Sequence, residues 1–194
     1  MNNDIRVLGF AGSLRQKSYN RALLQAAETV LPADMTLTIF DLIDIPLFNQ
    51  DVEARGIPEP VLAFREALKA ADALLIATPE YNFSVPGVLK NALDWASRKG
   101  PDPQAPLDDK VVAIMGAGGM GGTVRAQLHL RDILAHNRLF VVPHPQLMVA
   151  RAWEHFDQDG ILTDEATRAR LGSLLLELRD LTWKLRRQPE VTYV

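Results

Sequence analysis

The chain has 194 residues, of which 47% are apolar and 23% are charged, and its formal net charge is −3. These values are typical of one globular domain, and the small negative charge argues against a nucleic-acid partner. The sequence contains no cysteine, which excludes disulfide scaffolds, thiolate metal sites and cysteine nucleophiles. No apolar stretch is long enough to predict a membrane span and no signal peptide is visible, so we expect a cytoplasmic protein without membrane partners.

Five short apolar runs predict β-strands at residues 5–11, 35–40, 73–78, 111–115 and 139–142. Amphipathic stretches with the spacing of helices lie between these runs, and one more follows the last run. Because strands and helices alternate, the chain is predicted to form a parallel sheet with right-handed crossovers. Five strands favour an α/β fold of the flavodoxin-like, doubly wound type, with strand order 2-1-3-4-5 and helices on both faces.

Local signals in the sequence predict several boundaries. Ser18 is placed to cap the first helix, and Pro86 falls in the first turn of the third helix. Residues 41–60 form a long polar connection without a predicted helix or strand. The sequence shows no linker and no repeat, so we predict a single domain over residues 1–187 and a loose tail over residues 188–194.

The predicted fold also predicts where a ligand binds. Ligands of open parallel sheets lie beyond the carboxyl ends of the strands, at the point where the strand order reverses. In this order the loops after the first and third strands face each other, and the loop after the fourth strand lies beside them. All three loops have unusual sequences, so we place the site between them.

The loop after the first strand, residues 12–21, is basic and leads into a helix. Free N–H groups at the helix N-terminus, the hydroxyls of Ser13 and Ser18, and the planar guanidinium of Arg15 favour a phosphate monoester. A capped helix with solvated basic side chains is the alternative. The P-loop pattern is absent, which argues against ATP or GTP as the ligand.

The loop after the third strand, residues 78–87, carries two aromatic side chains, Tyr81 and Phe83. Exposed aromatic rings at a strand end indicate a flat ligand, and packing on neighbouring loops is the alternative. Asn82 and backbone N–H groups can bond the edge of a heteroaromatic ring. Glu80 can be a general base, but the sequence favours a role in orienting backbone or capping a helix.

The loop after the fourth strand contains G-x-G-x-x-G at residues 116–121, the pattern of dinucleotide-binding loops. It follows the fourth strand rather than the first, and the acidic residue expected about 20 residues later is missing, since His144 and its neighbours stand there. The sequence therefore favours backbone that approaches a flat ligand closely. A dinucleotide-binding dehydrogenase is the less favoured alternative.

Sequence patterns of side-chain catalysis are absent. There is no G-x-S-x-G motif, and the four histidines do not have the spacing of a metal site. We therefore predict no metal ion and no catalytic side chain. A phosphate site, an aromatic platform and a glycine loop around one site fit a cofactor that carries its own chemistry, and FMN has the required monoester and flat ring.

Three motifs also resemble those of a known family. They are G-S-L-R at residues 12–15, P-E-Y-N at residues 79–82, and P-G followed by L-K-N-A and D-W within residues 86–95. Together they resemble the NAD(P)H-dependent FMN reductases, which include bacterial quinone, azo-dye and chromate reductases, over roughly residues 5–150. The resemblance implies that the phosphate binds Ser13, Arg15, Ser18 and Asn20, that the ring edge binds Pro79, Glu80, Tyr81 and Asn82 with Ser84 nearby, and that Gly116, Ala117, Gly118 and Gly119 cover the other side of the ring.

The resemblance further implies an activity and an assembly. NADPH or NADH donates electrons to bound FMN, and a quinone, an azo or nitroaromatic compound, chromate or a free flavin then takes them in a ping-pong reaction. A homodimer whose partner helps to wall the flavin site is implied, with a tetramer as a further possibility. Relatives often carry serine where Gly118 stands, so a side-chain contact from that loop is left open. A flavodoxin-type electron carrier without substrate turnover is the alternative, and the small net charge counts against it.

Overall fold

A computed structural model describes residues 4–99 and 104–186 of the chain. Its strands form one parallel sheet, and helices cover both faces of that sheet. The strands are β1 Ile5–Ala11, β2 Met35–Phe40, β3 Ala73–Ala77, β4 Val111–Ala117, β5 Phe140–Val141 and β6 Leu147–Val149. The helices are α1 Tyr19–Thr29, α2 Gln50–Arg55, α3 Glu59–Ala70, α4 Gly87–Ala96, α5 Val124–His136 and α6 Glu165–Arg186, with a 3₁₀ turn at Ala152–Glu154.

The strand order confirms the predicted flavodoxin-like topology. The order is β2-β1-β3-β4-β5, and every neighbouring pair is parallel. β1 and β3 lie side by side, with Ala11 opposite Ala77 at their carboxyl ends. The loops that follow these two strands therefore leave the sheet next to each other, as the strand order predicts.

The sixth strand, β6, was not predicted. β5 pairs only with Val111 and Val112 of β4, and the chain then passes through Pro143 and Pro145. Proline has no N–H to donate to a ladder, so the strand ends there. β6 returns to β4 farther along and pairs with residues 115–117. The segment after β6 consequently begins at the same edge of the sheet as the predicted site.

Two apolar layers hold the helices on the sheet. α1 and α6 cover one face, where Leu23 and Leu175 are buried against strand residues such as Val7. α3, α4 and α5 cover the other face, where Phe64 is buried with Leu8 of the same strand. Successive strand residues point to opposite faces, so a strand covered on both sides is apolar throughout. This arrangement confirms the prediction of helices on both faces.

The connection over residues 41–60, for which the sequence indicated only a long polar stretch, contains the short helix α2. Asn49 caps α2 by accepting a backbone hydrogen bond at 2.8 Å. Asn91 and Trp95 of α4 each donate to the carbonyl of Pro46 at 2.8 Å, which fixes the connection against α4. α2 buries none of its residues, and a helix without an apolar stripe leaves no periodic signal in the sequence.

Other boundaries differ from the prediction by one or two residues. Pro86 is the residue immediately before α4 and does not lie in its first turn. β4 continues to Ala117, two residues beyond its predicted end. The predicted tail over residues 188–194 lies outside the described residues. No helix in the described ranges is long and apolar enough to cross a bilayer.

Asp72 ties α6 to the sheet at the edge opposite the predicted site. Its carboxylate accepts from the backbone N–H of Arg6 at 2.8 Å, and Arg186 at the end of α6 approaches it to 2.6 Å. Burial alone would raise the pKa of Asp72, but hydrogen bonds from the two arginines outweigh it and lower the pKa from 3.8 to about 2. The last turn of α6 is thereby joined to the start of β1.

Candidate functional site

The first loop, between β1 and α1, is held close to the sheet. Gly12 extends the sheet by donating its N–H to the carbonyl of Ala77 at 2.9 Å. A side chain on Gly12 would not fit, since a Cβ atom there would lie 2.9 Å from Cγ of Pro86. Ser18 accepts a hydrogen bond at 3.2 Å from the N–H of Asn20, which confirms the predicted cap of α1.

Hydrogen-bond donors collect in this first loop. Ser13 and Ser18 are 4% and 5% exposed, and both carry hydroxyls that can donate. The Arg15 guanidinium lies 5.6 Å from the centre of the Tyr19 ring, and within residues 4–99 and 104–186 it forms no ion pair with a carboxylate. Together with the N–H groups of the first turn of α1, these groups can bind an anionic phosphate.

Asn20 joins the first loop to the loop after β4. Its Nδ2 donates to the carbonyl of Ala117 at 2.9 Å, and its Oδ1 accepts from the N–H of Ala117 at 3.0 Å. Asn20 is 3% exposed, so this pair is shielded from water. Both polar ends of the side chain serve this link, a role that the motif did not indicate. The phosphate contact of Asn20 stays a prediction.

The second loop, between β3 and α4, forms a two-residue turn. Tyr81 and Ser84 exchange two backbone hydrogen bonds, at 3.1 and 3.0 Å. The two residues between them, Asn82 and Phe83, have φ values of 49° and 62°. Asparagine tolerates this left-handed conformation, whereas a bulky residue such as phenylalanine adopts it at a cost. Strained backbone of this kind occurs mainly at functional sites.

The second loop is also fixed to the N-terminus of α5. A carboxylate oxygen of Glu80 accepts from the N–H groups of Arg125 and Ala126 at 2.8 and 3.1 Å. Glu80 therefore caps the helix, as the sequence favoured over a role as general base. The Arg125 guanidinium lies 4.2 Å from the centre of the exposed Phe83 ring, which adds a cation–π contact.

Two side-chain contacts hold the ends of the same turn. The Tyr81 hydroxyl donates to Oγ of Ser13 at 3.4 Å and so reaches the first loop. Ser84 Oγ lies 2.9 Å from Nδ1 of His129, on the second turn of α5. The ring of Tyr81 remains half exposed. The turn is thus fixed from both sides while it keeps an aromatic surface open to a ligand.

The third loop, between β4 and α5, requires glycine at two positions. A Cβ atom on Gly116 would overlap the Thr123 hydroxyl and the carbonyl of Thr78. On Gly118 it would lie 2.5 Å from the carbonyl of Gly122, so a serine at this position would not fit the loop. A Cβ on Gly119 would meet no atom within 4 Å, so the backbone at Gly119 is open on that side.

The segment after β6 is a part of the site that the sequence analysis missed. Gly118 donates to the carbonyl of Val149 at 3.0 Å and accepts from the N–H of Ala152 at 2.9 Å. Gly119 accepts from the N–H of Arg151 at 2.8 Å. These bonds brace the third loop. The apolar residues of β6, which follow Pro145, were the signal in the sequence that could have revealed this strand.

A cavity of about 560 Å³ lies on the outer side of the first loop. The loop over residues 157–160 closes it, and Phe156 anchors that loop by packing on Tyr19 with ring centres 5.2 Å apart. Arg15 and Ser18 line the cavity, whereas its lining includes no residue of the second or third loop, so the cavity borders the predicted phosphate site rather than the ring site. Its charged lining consists of Arg15, Lys17, Arg21, Asp41, Asp157 and Asp159.

The residues brought together fit a phosphate monoester joined to a flat ring. The first loop offers hydroxyls, a free guanidinium and a helix N-terminus, all of which suit phosphate oxygens. The second loop offers the exposed face of Tyr81, and the third offers open backbone at Gly119. Three other predicted site residues belong to the second loop or lead into the third, namely Pro79, Glu80 and the buried Ala117. Glu80 and Ala117 already form hydrogen bonds within the protein.

Comparison with known proteins agrees with this fit. Residues 5–154 match the family described as NADPH-dependent FMN reductase. An NAD(P)H-dependent FMN reductase of Pseudomonas aeruginosa is 46% identical over 187 residues, covering 96% of this chain and 100% of that protein. An NAD(P)H:quinone oxidoreductase of Solanum tuberosum is 43% identical over 189 residues, covering 94% of this chain and 95% of that protein.

A solved structure gives the same result. The flavoenzyme NAD(P)H:(acceptor) oxidoreductase FerB of Paracoccus denitrificans superposes with a TM-score of 0.81 and 31% identity, covering 93% of this chain and 98% of that one. Both the sequence match and the fold thus extend over the three loops that form the site. The chain belongs to the NADPH-dependent FMN reductase family of oxidoreductases.

Proposed function

We propose that this chain binds FMN across its three loops and carries electrons from NAD(P)H to a quinone-type acceptor. The observation that carries the proposal is the joining of these loops at one edge of the sheet. Asn20 bonds Ala117, and Tyr81 bonds Ser13, so phosphate donors, aromatic platform and glycine loop have fixed relative positions. Such pre-organisation is what a bound cofactor with a rigid ring requires.

The first loop holds the phosphate in this proposal. The hydroxyls of Ser13 and Ser18 donate hydrogen bonds to the phosphate, and the planar guanidinium of Arg15 donates to two of its oxygens. The dipole of α1 adds a favourable field at its N-terminus. Arg15 is exposed, and among the described residues its side chain contacts the Tyr19 ring and no carboxylate, so it can reorient without breaking an ion pair there.

The second and third loops hold the flat ring. Residues 79–82 bond its edge, Ser84 lies nearby, and residues 116–119 cover one side. When bound, FMN supplies the chemistry of accepting hydride from NAD(P)H and releasing electrons to an acceptor. The protein positions the ring, and Glu80 is occupied in capping α5 and is not available as a base.

The two substrates use the site in turn. The loops occupy the phosphate end, the edges and one side of the ring, which leaves one face for both the nicotinamide and the acceptor. We therefore propose ping-pong kinetics. The name of the plant relative, an NAD(P)H:quinone oxidoreductase, supports quinones as acceptors. Azo and nitroaromatic compounds, chromate and free flavin belong to the same proposal because they also accept electrons at an exposed face.

We also propose that the chain works as a homodimer, or as a tetramer built from dimers. Exposed apolar side chains surround the second and third loops, namely Phe83, Met120, Val124 and Leu128. An apolar surface of this kind at a site favours burial against a protein partner. Light scattering of the purified protein would measure the assembly, and a monomer at micromolar concentration would contradict this part of the proposal.

Steady-state kinetics with NADPH and a benzoquinone test the proposed function. Double-reciprocal plots should give parallel lines, since the two substrates never bind together. Cofactor released by heat should be FMN in a ratio near one to one, because the chain offers one phosphate site and no second one for an adenylate. Intersecting lines, or FAD as the main cofactor, would contradict the proposal.

A further inference from the structure

Ser84 and His129 form a hydrogen-bonded pair at the edge of the proposed ring site. Their Oγ and Nδ1 atoms are 2.9 Å apart. Ser84 is half-buried at the end of the Tyr81–Ser84 turn, and His129 is exposed on α5. The proposed mechanism assigns no task to His129, although this residue is the direct neighbour of a predicted flavin contact.

Ser84 and His129 are held close together, because the second loop is fixed to α5 at two other places. Glu80 caps the helix through two hydrogen bonds, and Arg125 lies over the Phe83 ring. These contacts hold the turn and the helix in one register. A change at the imidazole of His129 therefore acts on the Ser84 hydroxyl rather than displacing the loop.

The direction of this hydrogen bond depends on which nitrogen atoms of the imidazole carry hydrogen. A neutral imidazole that carries its hydrogen on Nε2 accepts at Nδ1, so the Ser84 hydroxyl hydrogen points toward His129. A protonated imidazole donates at Nδ1, so Ser84 Oγ accepts and its own hydrogen becomes free. The hydroxyl rotates about a single bond, which makes this exchange possible without moving the backbone.

We propose that His129 is a positioning residue that controls Ser84: its protonation turns the Ser84 hydroxyl into a donor toward the edge of the FMN ring. The inference rests on the proposed function, because it requires FMN at the second loop. The ring edge carries carbonyl oxygens that accept such a bond. FMN then binds more tightly as the pH falls through the range in which histidine titrates.

Charges around His129 set the background for this titration. The loop contributes Glu80, and α5 contributes residues about one turn before and after His129. On α4, Lys90 and Asp94 line the groove beside α5 and pair with each other at 2.6 Å. The groups concerned are Glu80, Arg125, Asp132, Lys90 and Asp94.

The test is the dissociation constant of FMN from the apoprotein, measured by fluorescence titration between roughly pH 8 and pH 5. The variants are His129→Gln, Ser84→Ala and, as a control, His136→Gln, which alters another exposed histidine of α5. FMN phosphate itself titrates near pH 6, but this contribution is common to all four proteins. Melting temperatures confirm that each variant is folded.

We expect the wild type and His136→Gln to gain roughly threefold to tenfold in FMN affinity toward low pH relative to His129→Gln, the worth of about one neutral hydrogen bond. Ser84→Ala should not show this increase in FMN affinity, although it keeps the imidazole of His129. In NMR spectra at low pH, FMN binding should move the imidazole signals of His129 in the wild type and leave them unmoved in Ser84→Ala, since linkage is reciprocal.

Two outcomes would overturn the inference. If Ser84→Ala kept the pH dependence, the imidazole charge would act on FMN directly and not through the hydroxyl. If the FMN affinity of His129→Gln depended on pH as that of the wild type does, His129 would have no part in the pH dependence. In both cases FMN binding itself persists, so the proposed function survives. Failure of every protein to bind FMN would overturn both.

Discussion

The Asn20 side chain and the Ala117 backbone form a closed pair of hydrogen bonds, at 2.9 and 3.0 Å, between residues 97 positions apart in the chain. Asn20 lies in the first turn of α1, the helix after β1, and Ala117 ends β4. Two strands that are not neighbours in the sheet are thus linked at their carboxyl ends. This link holds the first loop, with its proposed phosphate donors, next to the backbone of the third loop.

Replacing Asn20 with alanine should lower stability and FMN affinity together. The change leaves the buried N–H and C=O of Ala117 without their partner, which costs about 1–3 kcal/mol for each group. Urea unfolding of the apoprotein measures the first effect, and fluorescence titration with FMN measures the second. Asn137→Ala is the control, because Asn137 also bonds a backbone carbonyl, at 2.8 Å, but lies at the far end of α5. Equal FMN affinities of Asn20→Ala and the wild type would contradict the role of the link in the site.

Arg15→Ala should weaken FMN binding and leave the fold intact. Arg15 is exposed, and a charge-assisted hydrogen bond to phosphate is worth roughly 1.5–3 kcal/mol, which corresponds to about a tenfold to hundredfold loss of affinity. Lys17→Ala is the matched control in the same loop, and we expect a smaller loss because an ammonium lacks the planar fork. Riboflavin, which has no phosphate, should bind both variants as it binds the wild type. An unchanged dissociation constant for FMN in Arg15→Ala would place the phosphate elsewhere.

Replacing each of two glycines of the third loop with alanine should affect the melting temperature differently. Gly116→Ala should unfold at a lower temperature than the wild type, because the added Cβ overlaps Thr123 and the carbonyl of Thr78. Gly119→Ala should keep the melting temperature of the apoprotein, since nothing lies within 4 Å of its Cβ. If the ring of FMN lies against Gly119, that same methyl group should weaken FMN binding. A Gly119→Ala variant that binds FMN normally would remove this residue from the ring site.

Much of this architecture was predictable from the sequence, because buried parallel strands and amphipathic helices leave strong periodic signals. The order of β1, β3 and β4 then follows from the alternation of strands and helices together with the number of five strands, and it places three loops together. β6 was not predictable in the same way. It has three residues, and it pairs with residues 115–117 of β4, which β5 leaves unpaired.

The contacts within the site were less predictable than its location. The sequence favoured capping for Glu80, but it could not show that the capped helix is α5, which begins 44 residues later. It also could not show that Asn20 bonds Ala117 or that Ser84 bonds His129. Such partners are set by the packing of whole elements, and a single sequence carries no periodic signal for them.

The ion pairs of Asp72 should make stability depend on pH below about pH 4. The folded-state pKa of about 2 lies below the ordinary value of 3.8, so the stabilisation is present above the ordinary pKa and is lost as the pH falls toward 2. With allowance for solvent screening, we expect about 1–2 kcal/mol. The difference in unfolding free energy between the wild type and Asp72→Asn should therefore shrink from pH 5 to pH 2. Asp109→Asn, which alters an exposed pair with Arg138, should show almost no such trend. A constant difference for Asp72→Asn would contradict the lowered pKa.

Anaerobic titration of the FMN-loaded protein with NADPH tests the central claim most directly. One equivalent of NADPH should bleach the visible flavin absorbance completely, and one equivalent of a benzoquinone should then restore it, because a single cofactor passes two electrons from donor to acceptor. NADH should be tested in parallel as the second nicotinamide donor. If excess NADPH and excess NADH both left the flavin absorbance unchanged, the chain would be an electron carrier and the assignment as a reductase would be contradicted.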